Sequence, residues 1–234
     1  MLTITSISTG LTSLIFLLCG VHLYFSWKKK KEDILLRVFM VLLLSIGFQQ
    51  MFFSLGSGLF VRDVLASNVS WWMAHIFMFL GLGYFVRFPL RVKFPEKERM
   101  ILKIVIIYSV IGATILLFHV PQIVPLFMEN AVFNWQVPAL AGATIGIFST
   151  LIALFSLYVF LSETRKVETK ILKFRSLFLA LGIFVYYVGG PVHNFVMTPL
   201  MMFVACSLLV FGALIMMLGI YLPKIFKYLQ VKTR

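Results

Sequence analysis

"TPLMMFVACSLLVFGALIMMLGIYL", residues 198–222, contains no charged side chain. As a helix it would rise about 37 Å at about 1.5 Å per residue, enough to cross the roughly 30 Å hydrocarbon layer of a bilayer. In that layer no water pairs with exposed peptide groups, so a run of this length must close its own hydrogen bonds as a helix. Six further apolar runs stand at 4–26, 34–60, 70–88, 101–119, 138–162 and 172–192. The expectation is an all-α integral membrane protein, a single domain over 1–234 with seven transmembrane helices.

Composition leads to the same place. The chain is 61% hydrophobic and 12% charged, with 25 phenylalanines and a mean hydropathy of +1.02. At 234 residues a soluble domain has too little interior for that much apolar surface. Lipid must solvate it. Cys19 and Cys206 both lie inside apolar runs, which does not suit a secreted disulfide framework. The first run lacks a basic leader and a cleavage-like site, so it reads as a retained anchor rather than a signal peptide.

Orientation is read from the basic residues. Twenty of the 21 lysines and arginines fall in the connections after the first, third and fifth runs and in the tail, whereas Arg62 alone falls on the other side. The positive-inside rule then predicts the N-terminus outside and the C-terminus in the cytoplasm, in the cell (plasma or inner) membrane. The net charge of +13 is therefore juxtamembrane. It suits anionic lipid headgroups on the cytoplasmic side, and no connection is long enough to hold a nucleic-acid module. The longest outer connection, 119–138, is apolar and broken by three prolines, and is expected to lie as an irregular cap with Trp135 at headgroup depth. Asn68-Val69-Ser70 is a glycosylation sequon on the predicted outer side.

Laying residue n over n+137 matches Ser13-Leu14-Ile15 with Thr150-Leu151-Ile152, and Ile34-Leu35 with Ile171-Leu172. The pattern suggests parallel repeat halves, 4–94 and 138–228, joined by a linker helix at 101–119. Apolar segments of equal topology also match by coincidence. This 3+1+3 plan resembles the layout of the microbial rhodopsins and of the SWEET sugar transporters. The rhodopsin likeness implies a Schiff-base lysine in the seventh helix; 198–222 has none, which argues against retinal. The transporter likeness implies a proline-glutamine motif in the spans, but Pro121-Gln122 sits in the outer connection.

All eight acids lie in connections or at span ends, which argues against a proton or sodium pump and against carboxylate chemistry at membrane depth. "SLGSGLF" (54–60) lacks the first glycine of a serine-protease elbow, so Ser57 reads as a small packing residue. The polar residues left over gather toward the predicted outer side: Gln49 and Gln50 in the second run, His75 in the third, and Tyr186, Tyr187 and His193 around "YYVGGPVHNF" (186–195). These six are the candidate ligand-binding residues. Gly189-Gly190-Pro191 is expected to break the sixth helix and open a pocket there.

His75, His119 and His193 are also the candidate metal ligands, neutral imidazole being a good donor for zinc, copper or iron, and His75 with His193 would be the axial pair of a haem. The plain reading is that interfacial histidines enjoy one wet and one apolar side, and that the glutamines and tyrosines join helices. The favoured function is a non-enzymatic, receptor-like or accessory protein that binds a small apolar ligand or a partner membrane protein, a homo-oligomer being one form of such a partnership. A facilitative transporter of a neutral solute comes second, a haem- or metal-binding redox subunit third, and an enzyme last.

Overall fold

The computed structural model describes the backbone of residues 2–128, 131–194 and 198–232, and side chains over the same ranges apart from 191–194 and 223–232. Its helices are α1 (Ile4–Lys28), α2 (Ile34–Ser57), α3 (Val64–Phe85), the short α4 (Arg87–Lys93), α5 (Glu98–His119), α6 (Ala139–Lys166), α7 (Lys170–Asn194) and α8 (Pro199–Lys232). With α4 extending α3, they supply seven helices long and apolar enough to cross a membrane. The protein is an integral, multi-pass membrane protein.

The helices pack in chain order around a ring. α1 lies on α2, α2 on α3, α3 on α5, α5 on α6, α6 on α7 and α7 on α8, and α8 closes back onto α1. Burial in α1 departs from the pattern of a soluble helix. α1 hides Thr5, Ser6, Thr9, Thr12 and Ser13 and exposes Ile7, Leu11, Leu14 and Leu18. Lipid gives apolar side chains little reason to hide, so this face of α1 holds small and hydroxyl-bearing residues that let backbones approach and share hydrogen bonds, alongside the buried Phe16 and Leu23. Ser13 donates to the Gly47 carbonyl at 2.8 Å, and Ser54 donates to that of Ser6 at 2.8 Å. Gly20 faces Leu44 as Gly47 faces Leu17. The α7–α8 pair is closer still, because a Cβ on Gly212 would stand 2.6 Å from the Tyr186 backbone nitrogen.

Three expectations are corrected. The third span begins at Val64 rather than near residue 70, because Asp63 caps it by accepting from the Ala66 amide at 3.0 Å. The fold is not wholly α. The outer connection forms an antiparallel hairpin, β1 (Val124–Met128) and β2 (Val132–Gln136), with Leu126 opposite Asn134. Its β-branched and aromatic residues favour strands, and pairing satisfies backbone groups that an irregular apolar cap would leave open. α7 is not broken: its helix continues through Gly189, Gly190 and Pro191 to Asn194. Pro191 lies within the last turn, so it costs one hydrogen bond near the end, and membrane helices tolerate that loss.

Candidate functional site

The hairpin roofs a cavity of about 550 Å³ enclosed by α2, α3, α6, α7 and α8. Thr5 of α1 anchors the roof by a two-way bond, its Oγ1 donating to the Phe133 carbonyl and accepting from the Phe133 amide, each at 2.9 Å. Trp135 is only 7% exposed. It packs on Phe53 and donates from Nε1 to Ser67 Oγ at 3.2 Å. Its indole is turned into the bundle, where it finds both an aromatic neighbour and an acceptor. Asn68 is buried too and donates to the Val120 and Ile123 carbonyls at 3.1 and 2.9 Å. The sequon nitrogen ties α3 to the start of the roof.

Five of the six candidate ligand residues line this one cavity: Gln49, Gln50, His75, Tyr186 and Tyr187. The sixth, His193, lies outside the described side chains. Gln49 and Gln50 are 7% and 3% exposed, and neither side-chain oxygen has a hydrogen-bond partner among the described residues. A buried amide oxygen without a donor costs about 1–3 kcal/mol. Two in adjacent residues on one cavity wall mark where a partner is wanted.

His75 is fixed on the same wall. Its Nδ1 donates to the Trp71 carbonyl at 2.8 Å, and its ring lies 4.1 Å from the Trp71 ring centroid and edge-on to Phe53 at 5.4 Å. With the proton on Nδ1, Nε2 of the neutral ring is an acceptor. Across the cavity, Thr150 Oγ1 and Tyr187 Oη share a 2.5 Å hydrogen bond that joins α6 to α7. Sequence reasoning took Gly190 only as part of a helix break and did not single out Thr150, Gly142 or Gly146 for the pocket; all four line the space. A Cβ at any of these three glycines would meet none of the described residues within 4 Å. Their small-residue periodicity on α6, Gly142 and Gly146 four apart, was the available signal.

The described lining contains no lysine, arginine, aspartate or glutamate, so the cavity suits an uncharged guest, an unpaired ion being costly there. Of the candidate metal ligands, His119 is at the end of α5, donating from Nδ1 to the Ile115 carbonyl at 2.8 Å. Among the described residues no three histidine, cysteine or acidic side chains gather to hold a metal ion. No protein-family model matches the chain, and comparison with curated proteins and with solved structures returns no match.

Proposed function

We propose that this protein is a non-enzymatic, receptor-like or accessory membrane protein that binds a small, neutral, largely apolar molecule in the cavity beneath the β1–β2 hairpin. One observation carries the reading: Gln49 and Gln50, adjacent and buried, stand in the wall of a cavity whose described lining is uncharged, and their side-chain oxygens have no hydrogen-bond partner among the described residues. The volume falls within the roughly 300–1,000 Å³ of small-molecule sites, and apolar walls with a few convergent polar groups are their usual make-up. The charge partition supports a cavity at the outer end and basic loops in the cytoplasm, where anionic lipid and a partner protein would meet them. Packing in chain order within α1–α3 and again within α6–α8 supports reading the two triplets as parallel repeats about α5.

The experiment is a titration of the protein in lipid nanodiscs with an uncharged, environment-sensitive fluorophore, read by energy transfer from tryptophan. Trp71 and Trp135 both line the cavity. Saturable binding is expected in the unaltered chain. Gly146→Phe fills open space, and should abolish binding without lowering the melting temperature. Equal binding by the two proteins, or no saturable binding by either, would overturn the proposal.

A further inference from the structure

The cavity walls differ in kind. On α2 and α3 the lining residues Gln49, Gln50, Trp71 and His75 are buried, whereas on α6 the lining glycines Gly142 and Gly146 are exposed. These two stand one turn apart beside Leu140 and Ile147, which are exposed on the same helix. Below them the Thr150–Tyr187 bond holds α6 and α7 together. Above it, Gly146 and Gly142 on one helix and Gly190 on the other leave room that none of the described side chains fills. Such an opening on the outer surface of an apolar bundle faces lipid, and its shape suits a long, thin, apolar object.

Resting on the binding reading above, we infer that the occupant is an uncharged single-chain lipid whose compact hydroxylated head, of the glycerol kind, pairs with Gln49 and Gln50 and whose hydrocarbon chain leaves between α6 and α7. A hydroxyl fits the glutamines because it both donates and accepts, and so satisfies an amide presented by either its oxygen or its NH₂ group. A charged head is disfavoured, since no lysine, arginine or acid in the described lining would pair with it. The aromatic rings of Phe53, Trp71 and Trp135 and the thioether of Met78 then flank the carbon skeleton. The glycine gap accounts for entry without unfolding the hairpin, whose hold on Thr5, Ser67 and α3 stays closed.

The test uses two probes with the same dibrominated octadecanoyl chain, the 1-monoglyceride and the methyl ester, titrated into the full chain in phosphatidylcholine nanodiscs. Bromine quenches tryptophan on contact, so a seated chain is reported by Trp71 and Trp135. The monoglyceride should quench saturably, with the methyl ester about tenfold weaker or worse, as expected for the loss of one or two net hydrogen bonds. The near-isosteric double variant Gln49→Met/Gln50→Met should bind the monoglyceride as weakly as the ester, while its melting temperature holds or rises because two unpartnered oxygens are gone. Gly146→Leu, a second variant at a site with room for a side chain, should exclude both chains. Saturable quenching of equal strength by the two probes would overturn the head assignment and leave the binding site standing. Saturable monoglyceride quenching that survives Gly146→Leu would overturn the proposed exit. Quenching that rises linearly with both probes would overturn this inference and the binding reading together.

Discussion

At the scale of single residues, many polar side chains inside the bundle have specific partners; among the described residues the Gln49 and Gln50 oxygens, both from the cavity wall, lack one, as do Asn68 Oδ1 and Ser156 Oγ elsewhere. Thr5 holds the hairpin through both polar groups of Phe133. Thr5→Val should destabilise the fold by about 1–3 kcal/mol, leaving a buried amide and carbonyl unpaired, whereas Thr5→Ser should keep most of that stability. Thermal melts compare them, and a red shift in Trp135 emission would report a loosened roof. Asn68 spends its amide hydrogens on Val120 and Ile123. Expressed in a eukaryotic cell, the folded protein should show no glycosidase-sensitive mass at that sequon. Gln49, Gln50, His75 and the tyrosines were legible as candidates because polar residues stand out in an apolar chain. Their convergence was not, since it depends on ring order and helix rotation, and nor were the unfilled positions at Gly142 and Gly146, since a glycine in sequence does not say whether a neighbour presses on it.

At the scale of elements, the glycines fall into two kinds. Gly182 and Gly212 sit where a Cβ would meet the backbone of the facing helix at 2.8 Å or less, while Gly142 and Gly146 face open space. Gly212→Leu should therefore push α7 from α8 and markedly lower the melting temperature. Gly142→Ala should be neutral or stabilising by up to about 1 kcal/mol, the usual gain of alanine over glycine inside a helix. Equal effects from the two changes would contradict the packing described. The seven runs were legible from length and apolarity alone. The hairpin was missed because prolines at 121, 125 and 138 were weighed as breakers. In fact Pro125 is tolerated inside a strand of a two-stranded hairpin, where each strand has an open edge. The break at Pro191 was wrongly expected for the complementary reason, that a proline within a helix's last turn disturbs little.

At the scale of the whole molecule, aromatic and aliphatic side chains fill the bundle beside hydroxyls and glycines, many further leucines and isoleucines remain exposed on its outer surface, and the cavity lies toward the end opposite the basic clusters. Orientation is testable directly. In a background without Cys19 and Cys206, cysteines introduced at the exposed positions Leu59 and Lys97 should label from opposite faces of the membrane, Leu59→Cys from outside. Labelling from one face would contradict the seven-span topology. The central claim, that the cavity exists to hold an uncharged guest against Gln49 and Gln50, is met most directly by an experimental density map of the protein in nanodiscs made from its host membrane's own lipids. The account predicts non-protein density within hydrogen-bonding distance of both side-chain amides, continuing past Gly146 between α6 and α7. A collapsed cavity with both amides bonded to protein, or one filled by water alone, would contradict it.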